Sequence, residues 1–421
     1  METKKISVGY RFSKRDESKY FVDEEFVNEN PDCWEIIKFV SNNPFATQKE
    51  ICERFNLSKD ELIEKNKKIR ESDWTRDYII NTGTGSKYWK NTIIPTIQSG
   101  KAKAVLDEKY AYPDRVGLCP GISCNFFCYF CGRNYSAVYE KEWGEKGFEM
   151  YKQIIDQTPK GVNKKKVYHI TGGLEPLTFP RIGDLVSYGE KAGFDMEIQT
   201  NGSYLTSGFI EKHPGIKDLS VLRISLYGVD NDSTFEVTKN KKAYDVVKEN
   251  LINYLKLNTK TKLGLNYVIL HKRTKDILKL LDYIEEINTK SNNQVDFLTL
   301  REDFAEEAEN ILGEERQEIY NIFNEVQKRL ESKNLNKLHI DYGYALESIR
   351  KNQNSHQHGL KKVNYKQLRP KAFPQIAVMV DPKGDVYAYH EATFLDREGA
   401  KRYSIGTVDK EHSMEYVIKE F

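Results

Sequence analysis

The stretch Leu118-Cys119-Pro120-Gly121-Ile122-Ser123-Cys124-Asn125-Phe126-Phe127-Cys128-Tyr129-Phe130-Cys131-Gly132 carries four of the six cysteines in the chain. A secreted disulfide framework spreads its cysteines more evenly, and crowding of this kind points to metal. The spacing Cys124-x3-Cys128-x2-Cys131 puts three thiolates on a tight loop. A 4Fe–4S cube needs four ligands, so three protein ligands leave one iron open to a substrate or cofactor. Zinc is an alternative, but its structural sites pair two cysteine knuckles and no second knuckle occurs here. Cys119 is either a fourth ligand or a structural residue at a strand end, and the Pro-Gly turn after it favours the structural role. Cys33 and Cys52 lie on apolar helix faces and read as small buried hydrophobes.

Outward from this loop, short apolar runs alternate with amphipathic segments, the pattern of βα units around a parallel sheet. Strands are expected at 115–119, 166–171, 194–200, 220–227, 262–270 and 294–301. Helices are expected at 146–158, 181–192, 242–257 and 274–287. Six such units predict an α/β fold, a partial (β/α)6 barrel, since the sequence runs short of two units for a closed eight-stranded one. The cysteine loop follows the first strand, which puts it at the catalytic, C-terminal face of the barrel.

The domain reading is a helical, helix-turn-helix-like region at 1–75, a linker at 76–112, the barrel at 113–304 and a C-terminal helix and β-hairpin extension at 305–421. Thr47 with Glu50, and Ser58 with Glu61, each read as a capping box opening a helix. The extension holds a charged helix at 305–332, a short strand at 337–342 and the hairpin Ile376–Asp381, Pro382-Lys383-Gly384, Asp385–Tyr389.

Composition narrows the function. The chain has 421 residues, 39% of them hydrophobic, with 65 Lys+Arg against 63 Asp+Glu. A net charge of +2 and the absence of a basic stripe argue against a nucleic-acid partner. The basic excess on Lys59–Arg70 is slight. No apolar run is long enough to cross a bilayer, and the N-terminus lacks a signal-peptide core, so a cytoplasmic protein without a membrane partner is expected.

The cysteine motif, with aromatic Phe130 before its last cysteine, resembles that of the radical S-adenosylmethionine (SAM) superfamily. Several strand ends are similar as well. Thr171-Gly172-Gly173-Leu174-Glu175-Pro176 resembles the family's Gly-Gly-Glu-Pro segment, which binds the methionine amino group of SAM; Leu174 is an insertion that weakens the assignment of Glu175 more than that of the glycines. Asn201 and Gly202 end the third strand as a Thr-Asn-Gly does in the family. Ser225 stands where members hydrogen-bond the ribose, and Asn266 and Val268 lie on the strand that faces the adenine. The resemblance covers about residues 113–304. It implies Cys124, Cys128 and Cys131 as ligands of one 4Fe–4S cluster, with Phe130, Gly172, Gly173, Glu175, Asn201, Ser225, Asn266 and Val268 around SAM. It also implies reductive cleavage of SAM to a 5′-deoxyadenosyl radical, hydrogen abstraction from a substrate, and an electron donor such as flavodoxin or ferredoxin.

Residues 378–390 and 405–408 resemble the extension of members that carry extra clusters. No cysteine follows Cys131, so a second cluster is not expected, and His390 stands near a position that is commonly cysteine in those members. Within the superfamily the chain is similar to enzymes of deoxysugar and aminoglycoside biosynthesis, which implies a small-molecule sugar or sugar-nucleotide substrate undergoing dehydration, deamination or dehydrogenation. The alternatives are a maturase of a ribosomally made peptide and a cluster-based DNA-binding redox sensor. Arg301, Glu302 and Asp303 at the sixth strand end, with Tyr342 and Tyr344 after the next strand, are the candidate substrate residues: a cation for phosphate or carboxylate, and carboxylates as bases. The hairpin is expected to close over the barrel mouth.

Overall fold

A computed structural model of the chain describes residues 24–42, 47–71, 101–107, 109–113, 115–129, 131, 139–159, 167–270, 272–302, 315–342, 346, 349–350, 374–388 and 404–421. The chain divides into two compact units, Met1–Glu108 and Lys109–Phe421.

In the first unit, helices α1 (Glu24–Glu29), α2 (Pro31–Asn42), α3 (Gln48–Phe55), α4 (Lys59–Glu71) and α5 (Lys101–Leu106) are described. Both capping boxes form. Thr47 N–H donates to Glu50 Oε2 at 2.6 Å and Glu50 N–H to Thr47 Oγ1 at 3.2 Å. Ser58 N–H donates to Glu61 Oε2 at 2.7 Å. These bonds satisfy amide donors that a helix start leaves orphaned. Cys33, Ile36, Ile37, Ile51, Leu62 and Ile69 make the small core. Cys33 is buried and Cys52 packs at its edge, as expected of small hydrophobes.

The second unit is a partial barrel built on a ten-stranded, mostly parallel sheet. Its six βα strands are β1 (Arg115–Leu118), β2 (Val167–Ile170), β3 (Asp195–Thr200), β4 (Val221–Leu226), β5 (Lys262–Ile269) and β6 (Phe297–Glu302). They stand in sequential order, each parallel to the next. Beyond β6 lies β7 (His339–Tyr342), also parallel. The helices between them fall close to their expected positions: Glu142–Gln157, Ile182–Lys191, Ala243–Lys256 and Asp276–Ser291. Two more helices are Ser207–Lys212 and Asn231–Thr238, and the second opens on a capping box between Asp230 and Ser233 and stops at left-handed Lys239. The charged helix is described over Arg316–Arg329, and residues 305–314 of its expected span lie outside the described residues.

The C-terminal hairpin forms at its expected residues and joins the main sheet. β8 (Ala377–Val380) pairs in parallel with β1, Arg115 opposite Ala377, and β9 (Asp385–Tyr387) and β10 (Ser404–Thr407) continue the sheet outward, antiparallel. The hairpin therefore extends the sheet past β1. The physical reason is the edge of β1, whose amides need acceptors. Arg115 N–H finds Ile376 O at 3.1 Å and Cys119 N–H finds Val380 O at 2.8 Å.

The two faces of the sheet differ. Ile170, Ile198, Ile224, Leu265 and Leu298 are fully buried on one face, in a core shared with helix residues such as Ile154, Leu185, Leu251 and Leu280. The alternate residues on the other face include His169, Glu197, Gln199, Arg223, Ser225 and Asn266, and most are partly exposed. A parallel sheet buried on both faces reads as continuous apolar runs, and closed barrels fill their interior with branched side chains. A polar inner face is the signature of a lumen that receives a polar ligand.

Candidate active site

The cysteine loop is held from two sides. Ile122 and Ser123 N–H both donate to Thr178 Oγ1, at 3.0 and 3.1 Å, and Glu175 N–H returns to Ser123 O at 2.9 Å. Gly121 lies so close to the Leu174 backbone that a Cβ there would stand 2.6 Å from the Leu174 carbonyl carbon. The inserted Leu174 is itself buried, so it serves as part of the seat for this loop. On the far side, Phe127 N–H bonds Thr238 O at 2.8 Å.

This anchoring gathers the three motif cysteines. Cys124, Cys128 and Cys131 pack with Phe126, Tyr227, Val237, Ala243, Val268 and Leu270 in one apolar cluster at the tips of β4 and β5. Phe126 and Tyr227 meet edge to face at 5.7 Å. Cys119 is apart from them, buried with Met379 and Tyr387 in the seam between β1 and the hairpin. Among the described residues, no three His, Cys, Asp or Glu side chains stand close enough to hold a single metal ion. Each cysteine of a cube ligates its own iron, so its ligands spread wider than those of one ion. Three thiols gathered in one apolar cluster are the donor set that a 4Fe–4S cube takes.

Around the thiols the strand tips supply backbone and polar groups. Gly172 and Gly173 both have positive φ, 78° and 60°. Only glycine enters this region without strain, and its bare backbone leaves room for a ligand. Glu175 is buried, with its carboxylate turned inward. It accepts from Leu177 N–H at 3.0 Å, Asn201 N–H at 2.9 Å and the Thr200 hydroxyl. Burial pushes its carboxyl up, opposed by those three donors. Two of these bonds, from Thr200 and Asn201, tie the β2 loop to the end of β3, and the third, from Leu177, closes the loop on itself.

Asn201 is buried beside the cysteines. Its Nδ2 lies 3.8 Å from Cys124 Sγ and 3.1 Å from Asn125 Oδ1, while its Oδ1 accepts from Ser203. Asn250 fixes the same turn by donating to Gly202 O at 2.9 Å. Ser225 and Asn266 are direct register partners on β4 and β5. Asn266 Oδ1 is buried with no hydrogen-bond partner among the described residues. A buried acceptor left empty is costly, and a ligand group resolves the cost.

The substrate candidates are spread out. Arg301 lies opposite Val268 in the register, with Nη2 3.5 Å from Asp341 and Nη1 bonded to Leu300 O. Glu302 ends β6 opposite Ile269. Tyr342 packs edge to face on Phe323 at 4.8 Å. Phe130, Asp303, Tyr344 and His390 lie outside the described residues.

Sequence reasoning missed Asn125, Thr178, Ser203 and Asn250, and it missed the inner-face residues His169, Glu197 and Arg223. His169 Nδ1 lies 3.2 Å from Glu197 Oε2. The available signal was the period-2 alternation in Val167-Tyr-His-Ile, Asp195-Met-Glu-Ile-Gln-Thr and Val221-Leu-Arg-Ile-Ser-Leu.

Residues 118–284 match the family model described as the radical SAM superfamily. The chain is 37% identical over 348 residues, 81% of its length and 70% of the relative's, to dTDP-4-amino-4,6-dideoxy-D-glucose ammonia-lyase of Streptomyces venezuelae. Over 90 residues, 21% of this chain and 24% of the relative, it is 32% identical to the tungsten-containing aldehyde ferredoxin oxidoreductase cofactor-modifying protein of Pyrococcus furiosus. Among solved structures it is similar to Streptococcus suis SuiB bound to its precursor peptide SuiA, with a TM-score of 0.47 at 14% identity, covering 75% of this chain and 69% of that one.

Proposed function

The chain belongs to the radical SAM superfamily, and on that premise we propose that it acts on a small sugar or sugar nucleotide, expelling water or ammonia or oxidising an alcohol. As an enzyme of this superfamily it uses a 4Fe–4S cluster and SAM. When bound, these supply hydrogen-atom abstraction through one-electron cleavage of the SAM sulfonium.

The observation that carries the substrate reading is the polar inner face of the sheet. His169, Glu197, Gln199, Arg223, Ser225 and Asn266 line it where a closed barrel would be packed with aliphatic side chains. Such a lumen suits a small ligand rich in hydroxyls, enclosed while the reaction excludes water. The ammonia-lyase activity of the Streptomyces venezuelae relative supports the same substrate class.

We assign roles to individual residues on this reading. Cys124, Cys128 and Cys131 would hold three irons of the cluster. Gly172 and Gly173 would open the backbone toward the amino group of SAM. Asn266 Oδ1 would accept from a hydroxyl or amine of the bound cofactor, with Ser225 beside it and Val268 as an apolar wall. Arg301 would meet an anionic part of the substrate, and a flavodoxin or ferredoxin would deliver the electron.

The test is anaerobic reconstitution followed by assay of 5′-deoxyadenosine with a panel of amino and neutral nucleotide sugars and short peptides. Formation that depends on a nucleotide sugar supports the reading. Formation that depends only on a peptide overturns it.

A further inference from the structure

One tier of the inner face carries none of the residues assigned above to the cluster or to SAM. His169 and Glu197 are register partners on β2 and β3, and Glu197 Oε2 faces His169 Nδ1 at 3.2 Å. The Glu197 side chain is 16% exposed, and its Oε1 has no hydrogen-bond partner among the described residues. Among the described residues, other carboxylates on this face are engaged. Asp195 accepts the Ser220 hydroxyl at 3.0 Å, and Asp341 stands 3.5 Å from Arg301.

Arg223, one of two cations whose charge reaches Glu197, makes no ion pair with it among the described residues. Arg223 stacks over the Phe297 ring at 4.6 Å and reaches Thr299 Oγ1 at 3.5 Å. Gly264, between them in the register, makes the stack possible, since a Cβ there would lie 2.0 Å from the ring. Arg223 has no carboxylate within ion-pair distance among the described residues. Burial raises the carboxyl of Glu197, but the His169 contact and the charges of Arg223 and Arg115 outweigh it and hold the group below the ordinary glutamate value. The result is an ionised carboxylate in the lumen with one oxygen open.

We propose that Glu197, steadied by His169, selects the substrate by pairing its open oxygen with a protonated amine, so that an amine-bearing sugar is preferred over its hydroxyl counterpart. The proposal rests on the sugar reading above. A charge-assisted bond to an ammonium is about twice as strong as one to a neutral hydroxyl, and enclosure in the lumen widens the difference.

The experiment measures binding of an amine-bearing nucleotide sugar and of its hydroxyl analogue to the cluster-loaded, SAM-bound enzyme, for wild type, Glu197→Gln and Glu197→Asp. The wild type should prefer the amine by about tenfold or more. Glu197→Gln should lose that preference, and Glu197→Asp should keep part of it, with cluster absorption and SAM affinity unchanged in both. A preference that survives in Glu197→Gln, or an equal loss for both ligands, overturns the assignment alone. Binding of neither ligand by the wild type overturns the sugar reading, and the assignment falls with it.

Discussion

The side-chain amide of Asn201 lies 3.8 Å from Cys124 Sγ. The same residue gives its backbone N–H to Glu175, so the buried carboxylate and the cysteine loop are joined through one asparagine. An N–H donor to a cluster thiolate stabilises the more negative, reduced state. Asn201→Leu should therefore lower the reduction potential of the cluster, read by a potentiometric titration followed by EPR. An unchanged potential would show that the amide does not reach the ligated sulfur.

The cysteines should separate cleanly. Cys124→Ala, Cys128→Ala and Cys131→Ala each leave two protein ligands and should lose the cluster, while Cys119→Ala, in the seam with Met379 and Tyr387, should keep it. Iron analysis should give about four irons per chain in the wild type. A value near eight would contradict a single cluster.

Gly173→Val should weaken SAM binding and spare the cluster. At φ 60° a β-branched residue costs on the order of 1–3 kcal/mol, and its side chain enters space the ligand needs. SAM affinity measured by equilibrium binding should fall, because the added side chain occupies space beside the ligand, and an unchanged affinity would show that the loop does not line the cofactor site.

Glu175→Leu should destabilise the second unit. It strands the donors of Leu177, Thr200 and Asn201 in a buried site, at about 1–3 kcal/mol for each left without an acceptor. Chemical denaturation measures this, and Glu175→Gln should be milder because it keeps one acceptor oxygen. A wild-type midpoint in Glu175→Leu would show that the carboxylate does not tie β2 to β3.

Asp381 gives a pH signature. It is buried at the hairpin turn, where it accepts from Lys383 N–H at 2.8 Å and the Tyr139 hydroxyl at 3.1 Å. Burial, with the charge of Asp385, pushes its carboxyl up from 3.8 to about 6. A raised folded value favours the native state below 3.8, and the advantage is lost as pH rises toward about 6. The swing is on the order of 3 kcal/mol. In Asp381→Asn that slope should flatten in a series of thermal melts between these pH values, and a slope equal to that of wild type would refute the shift.

The cysteine loop, the six strands and the capping boxes were legible because each is local. A motif spacing, an apolar alternation or a Thr-x-x-Glu is written within a few residues. The inner-face tier was not. His169 and Glu197 are alternate residues of two short strands, and only the parallel register between them brings the imidazole to the carboxylate. The place of β8 was hidden for a related reason. Ala377–Val380 reads as half of a hairpin, and its pairing with β1 depends on an edge far away in the sequence. Glu175 shows a third limit. The Gly-Gly-Leu-Glu-Pro run marks the loop, but only packing shows that its carboxylate turns into the protein toward Thr200 and Asn201.

The most direct test of the central claim is label transfer. The reconstituted, reduced enzyme is incubated with SAM and a nucleotide sugar deuterated on its sugar ring, and the 5′-deoxyadenosine is analysed by mass spectrometry. The account predicts a one-deuteron mass gain that disappears in Cys128→Ala. 5′-Deoxyadenosine that carries no label from any ring position of the sugar, or that gains label only from a peptide, would contradict it.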